Sequence, residues 1–269
     1  MTRPPPRTLL APLAALALAG CKHPEPAPSE LTELCAWLYL HQDDPEELPE
    51  GTGSLQAWLG TRGYPGEEGY ALPPLTEEDV AEVEHPDRDL SAAIGAVADA
   101  ISPAGIDGHA AFLVIPDQSV VNPDDYEQFD RELLEGGDCF VARDCELLRT
   151  WNTVIKNGAF GVTIPYEYGK DYRWVDFTDD TGLPHAAIVS RGWVPLESFG
   201  EDGNNGILLS FTLDVFLAQP DGTTHRVQAQ WSEMELALEL PDDYLRNELI
   251  DGLREVFEDT DAAIASLGL

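Results

Sequence analysis

Between residues 207 and 217 apolar side chains recur at every second position: Ile207, Leu209, Phe211, Leu213, Val215 and Leu217. The interleaved set is mixed: Leu208, Ser210, Thr212, Asp214 and Phe216. Successive side chains of a strand point to opposite faces, so this period of two predicts a half-buried antiparallel strand. Pro220-Asp221-Gly222 follows as a turn, because proline presets φ and glycine accepts a positive φ. Val227, Ala229 and Trp231 then alternate with Arg226, Gln228, Gln230 and Ser232, which completes a long hairpin. After Pro241-Asp242-Asp243 the period changes. Leu245, Leu249, Gly252/Leu253, Val256/Phe257, Thr260, Ile264 and Leu267 form one stripe at helical spacing. A helix of about 26 residues makes roughly seven turns. It needs a sheet of comparable length to cover its apolar side.

Upstream, Leu31 to Leu40 has helical spacing, and a second short helix is expected around Leu55, Trp58 and Leu59. Gly60 to Pro74 is rich in glycine and proline and reads as loop. Thr76-Glu77-Glu78-Asp79 has capping-box character and predicts a third helix near Val80 and Val83. Ala92–Ile101 suits a strand or a helix, and Gly108–Ile115 is a short apolar segment. Strands are expected in 126–134, 147–155, 160–166, 172–177, 186–199, 207–218 and 224–236. The fold class is therefore α+β: a long-stranded, curved antiparallel sheet packed on a long C-terminal helix, with an N-terminal helical segment. Residues 1–20 form a leader, 21–30 a tether, 31–88 a cover or small subdomain, and 89–269 the main domain.

The chain has 15 Lys+Arg against 50 Asp+Glu, a formal charge of −35. Nucleic-acid binding needs clustered cations and is excluded as an expectation. So is adhesion to anionic lipid through basic patches.

Arg3 and Arg7 precede an apolar run, Leu9 to Ala19, too short for a stable membrane span. It ends in Leu18-Ala19-Gly20-Cys21, which resembles the lipobox of bacterial lipoprotein signal peptides. The resemblance implies cleavage before Cys21, a diacylglyceryl thioether on its sulfur and an acyl chain, such as palmitate, on its amine. Several acyl chains give stable anchoring. Lys22 follows, and by the enterobacterial sorting pattern this implies the outer membrane. Loss of Arg3 and Arg7 leaves 15 − 2 = 13 cations and a mature charge of 13 − 50 = −37. Lys22 to Glu30 is Pro-rich and suits a semi-rigid tether.

Export allows disulfides. Cys139 and Cys145 lie six apart after Gly136-Gly137 and are expected to bridge; Cys35 is left as a buried, inert thiol.

The order of apolar segment, short helix, antiparallel strands and long final helix resembles the helix-grip fold of START-related lipid-transfer domains. Local echoes are Asp171-Tyr172-Arg173-Trp174-Val175 and Ile188-Val189-Ser190-Arg191-Gly192-Trp193. The resemblance implies a cavity between sheet and helix that holds an apolar ligand with a few polar orienters. The inward candidates are Phe211, Leu213, Val215, Trp231, Leu249, Leu253 and Phe257. Arg173 with Trp174, and Arg191 with Trp193, are candidate headgroup orienters; the simpler reading of both arginines is ion pairing within the sheet.

No nucleophile elbow, zincin motif or phosphate loop occurs, and no pair of the six histidines has metal-ligand spacing. No catalytic residue, metal or cofactor is assigned. Asp176–Asp180 and Glu201–Gly206 read as turns rather than calcium loops. Three functions fit: a membrane-anchored, non-enzymatic binder of an apolar small molecule or lipid; an accessory envelope lipoprotein acting through protein contact; and a hydrolase with a dispersed site.

Overall fold

The computed structural model describes residues 26–62, 69–123, 125–157, 163–179, 181–201, 203–238 and 240–269. The leader and Cys21 lie outside them. Helices α1 (Leu31–Leu40) and α2 (Glu47–Arg62) precede a short strand β1 (Tyr70–Leu72). Then come β2 (Ile94–Ser102), α3 (Ile106–Leu113), β3 (Tyr126–Glu135) and α4 (Asp138–Val141). The remaining strands are β4 (Leu147–Asn157), β5 (Thr163–Thr178), β6 (Pro184–Trp193), β7 (Ser198–Phe199), β8 (Gly206–Ala218) and β9 (Thr224–Glu235). The chain closes with α5 (Asp242–Leu267), the span that the apolar stripe marks. No helix among the described residues is long and apolar enough to cross a membrane.

All strand pairs are antiparallel, in the order β1-β2-β9-β8-β6-β5-β4-β3, with β7 pairing on β8. The β8–β9 hairpin sets the centre: Val215 faces Val227 and Phe211 faces Trp231. Two predicted strands, 160–166 and 172–177, are described as one, β5. Gly169 permits this, because a Cβ there would collide with the Trp193 indole of β6. The third helix predicted near Val80 does not form. Asp79 accepts from the Thr76 N–H and hydroxyl, both at 2.7 Å, so the capping contact is made. Turns follow it, since five carboxylates between 77 and 84 repel one another and Pro86 ends the segment.

Each sheet face is covered. One meets α1 and α2 in the largest core cluster. There Leu34, Leu38, Tyr39, Leu48 and Leu55 pack on Val175, Val189, Leu209, Leu213 and Val227. Tyr39 meets Phe211 and Trp231 edge-on, each with centroids 6.0 Å apart, and its hydroxyl donates to Gly192 O at 3.1 Å. Cys35 is buried in this layer, and burial pushes its thiol up to about 12.

The opposite face carries α3, α4 and α5. Cys139 and Cys145 form a disulfide that closes the α4 loop. Phe140 within that loop is fully buried, and its carbonyl accepts from Trp174 Nε1 at 2.8 Å. Gly136 and Gly137 hold positive φ on entry to α4.

Candidate functional site: a cavity beneath the C-terminal helix

Helix α5 does not lie over the middle of its sheet face. It packs on β2, where Ala98 and Ala100 are small enough to let Leu253 and Phe257 approach closely. Near its C-terminus Ala263 and Ile264 pack on Phe112 of α3. The rest of that face is left uncovered beneath the helix, leaving a partly open cavity of about 610 Å³. This lies within the range of small-molecule sites.

The two walls differ chemically. Leu245, Leu249, Leu253 and Val256 of α5 form an apolar roof. The floor is the mixed set of the alternation: Ser210, Thr212 and Asp214 of β8, with Arg226, Gln228 and Gln230 of β9. Tyr126, Tyr166, Tyr168 and Tyr172 add aromatic surface tipped with hydroxyls, and Arg131 and Lys170 add charge. Burial raises the Tyr166 and Tyr168 hydroxyls above their ordinary range.

Lys170 and Asp214 form an ion pair on this floor, and Ser190 donates to Asp214 at 2.8 Å. Burial opposes the Lys170 charge, but Asp214, with Tyr172 and Tyr168, more than offsets it and holds the ammonium above the ordinary lysine range. Arg226 lies over the rings of Phe216 and Phe257, at 5.4 and 4.7 Å, and 3.8 Å from Asp261. Burial lowers it to about 10.

His109 brings a histidine to a serine. Its Nε2 lies 2.9 Å from Ser102 Oγ, while Ser102 donates to Asp261 at 2.6 Å and accepts from Ala104 N–H at 3.1 Å. Ser102 has one proton, and Asp261 takes it, so His109 donates through Nε2. Burial first, then Arg226, holds the imidazole down to about 3. The neutral ring therefore keeps its lone pair on Nδ1, which has no partner among the described residues. A histidine that activates a serine must accept the serine proton. In this arrangement His109 donates to Ser102 and does not take its proton.

Three of the eleven predicted ligand-contact residues line the cavity: Trp193, Leu249 and Leu253. Trp193 also packs against the α1–α2 core. Phe257 sits between β2 and Arg226. The structure corrects the placement of Phe211, Leu213, Val215 and Trp231, which are buried against α1 and α2 on the other face. Their alternation identified an apolar face, and that face meets the N-terminal helices. Arg173 and Arg191 also lie away from the cavity. Both donate to Asp43, at 2.8 and 2.6 Å, and fix the α1–α2 connection to the sheet. Trp174 packs with Phe140 near the disulfide, and with Arg173 it lines a second hollow of about 310 Å³.

The sequence reading passed over the polar floor. One signal was available: the chain has three lysines, Lys22, Lys156 and Lys170, and the latter two line the cavity. His41, Asp44 and Glu47 are close enough to share a metal ion. Their bonding accounts for them without one: Asp44 caps α2 through the N–H groups of Glu46 and Glu47, and Glu47 pairs with His41.

No protein-family model matches the chain, and no curated protein matches it. Several solved structures are similar to it. A START superfamily protein from Mycobacterium smegmatis is 8% identical, with 64% of this chain and 98% of that one covered and a TM-score of 0.39. A STAR-related lipid transfer protein from Xanthomonas axonopodis is 12% identical, with 68% and 97% covered and a TM-score of 0.40. Human StAR-related lipid transfer protein 5 is 11% identical, with 85% and 100% covered and a TM-score of 0.41.

Proposed function

We propose that this protein is a binding protein that holds one small molecule of mainly apolar body between α5 and the sheet, without transforming it. The observation that carries the reading is the cavity of about 610 Å³ with an apolar roof and a polar floor. Such a space gives an apolar body somewhere to leave water and gives polar groups somewhere to bond. We propose further that the chain is exported and held at a bacterial membrane, the outer one, through acyl chains on Cys21. The Leu18-Ala19-Gly20-Cys21 sequence supports anchoring, and the Cys139–Cys145 bridge suits an oxidising compartment.

The test of binding is native mass spectrometry of the chain purified without detergent, with organic extraction of the same sample. An extracted compound at about one per chain is the expected result. A well-folded chain that arrives empty and takes up no neutral apolar dye overturns the reading and moves weight to an accessory role in protein contact. For the anchor, Cys21→Ser should abolish palmitate labelling and release the chain from the membrane fraction. Retention of both would refute lipidation.

A further inference from the structure

In a chain of net charge −35, the residues lining this cavity carry four cations against four carboxylates. The cations are Arg131, Lys156, Lys170 and Arg226, and the carboxylates are Asp214, Glu233, Asp242 and Glu248. Asp214 answers Lys170, and Asp261 stands beside Arg226. Arg131 has no such partner. It is 7% exposed, and its guanidinium donates from Nε to Asn152 Oδ1 at 2.9 Å and from Nη1 to Leu113 O at 2.7 Å. Both acceptors are neutral, and it forms no ion pair with a carboxylate among the described residues. Neutral acceptors satisfy N–H groups, but a buried charge is stable only when it is also paired. The carboxyl end of α3, which supplies Leu113 O, offsets about half a charge at most.

Arg131 and Lys170 also converge. They approach the Tyr172 ring to 5.7 and 5.5 Å, and both act on the Tyr168 hydroxyl. The two cations and the two tyrosines thus surround one stretch of floor, where Asp214 is the neighbouring carboxylate and is already held by Lys170 and Ser190.

We propose that the ligand is a single-tailed amphiphile with one negative charge, its anionic headgroup seated against Arg131 and its tail beneath the apolar residues of α5. This rests on the binding function proposed above and names the chemical class bound. The anion supplies the counter-charge that Arg131 lacks. A cationic headgroup in that place meets the unpaired Arg131 guanidinium and is rejected. A neutral one leaves the Arg131 charge unanswered.

The test is displacement of the neutral dye N-phenyl-1-naphthylamine from the purified full chain by dodecanoate, 1-dodecanol and dodecyltrimethylammonium, each below its aggregation threshold. Charge-assisted bonds exceed neutral ones by enough to expect dodecanoate to bind about tenfold or more tighter than dodecanol. Dodecyltrimethylammonium should be the weakest. In Arg131→Gln, which keeps bonding groups and removes the charge, the preference for dodecanoate should vanish; in Arg131→Lys it should persist in part. Equal or tighter binding of dodecanol to the unaltered chain overturns the headgroup proposal and leaves the cavity reading standing. So does a preference for dodecanoate that survives in a folded Arg131→Gln. Failure of the dye and all three probes to bind defeats the cavity reading itself. Should Arg131→Gln not fold, the ranking on the unaltered chain still decides.

Discussion

Replacing Lys170 with methionine tests whether the cavity floor is held by its ion pair. The Lys170 and Asp214 side chains are 11% and 8% exposed, so solvent screens them little. Removing one partner of a buried pair costs about 3–5 kcal/mol, because the other charge stays buried alone. Ser190 still donates to Asp214, which offsets about 1 kcal/mol of that cost. The expected loss is therefore about 3 kcal/mol. Urea unfolding followed by tryptophan emission reads it; with a slope of about 3 kcal/mol per molar, the midpoint falls by about 1 M at constant slope. Lys170→Met with Asp214→Asn removes both charges and keeps an acceptor for Ser190. It should recover about half of the loss or more, a coupling that only interacting residues show. A cost below about 1 kcal/mol for Lys170→Met would refute the buried-pair argument. So would a double variant as unstable as the two single variants summed.

Three other outcomes follow from the same wall. His109 is held down to about 3, against an ordinary value of 6.5. Between those values the unfolded chain binds a proton that the folded chain does not, so stability present above pH 6.5 is lost as pH falls. The slope is at most about 1.4 kcal/mol per pH unit. His109→Gln should flatten the stability profile between pH 6.5 and 5, and an unchanged slope would show that the ring is not buried neutral. Gly252 lines the cavity, and a Cβ added there meets nothing within 4 Å. Gly252→Trp should cut dye affinity about tenfold or more without loss of stability, since glycine is itself unfavourable inside a helix; undiminished binding would place the ligand elsewhere. Tyr126, Tyr166, Tyr168 and Lys170 all titrate above their ordinary values, so the folded chain keeps protons that the unfolded chain sheds. Stability is full below about pH 10 and lost as pH rises beyond it. Titration at 295 nm should show tyrosines that ionise only on unfolding, and ordinary midpoints for all eight would contradict the burial.

Much of the framework was legible because it follows local periods. Leu31–Leu40 and Asp242–Leu267 are helices over the spans their apolar spacing marks. The hairpin of β8 and β9 turns where Pro220-Asp221-Gly222 lies. Cys139 and Cys145 bridge just after the two glycines that lead the chain into α4. The failures have separate causes. The capping contact of Thr76 and Asp79 formed and Val80 reached the core, yet the carboxylates around it and Pro86 left turns in place of a helix. The break between two predicted strands vanished because Trp193, on a neighbouring strand, fills the space beside Gly169.

The candidate site was misread for a reason built into alternation. A period of two separates the faces of a strand and says nothing about what covers each. Phe211, Leu213 and Val215 were assigned to the cavity because apolar walls suit apolar ligands, but close packing suits them better, and α1 and α2, with Leu75, Val80 and Leu90, pack on that face. Ser210, Thr212 and Asp214 looked like a solvated surface. They are the floor of the partly open cavity beneath α5, where polar groups remain available to a ligand. The informative anomaly was charge. Cations at the surface of this chain would stand among abundant carboxylates, as Arg88 does between Glu197 and Glu233. Arg131 instead lies deep in the fold against neutral acceptors, at a cost in desolvation that no carboxylate among the described residues repays. A buried cation with only neutral acceptors, on the wall of a cavity of ligand size, is the kind of position at which charge rather than apolar spacing marks the site.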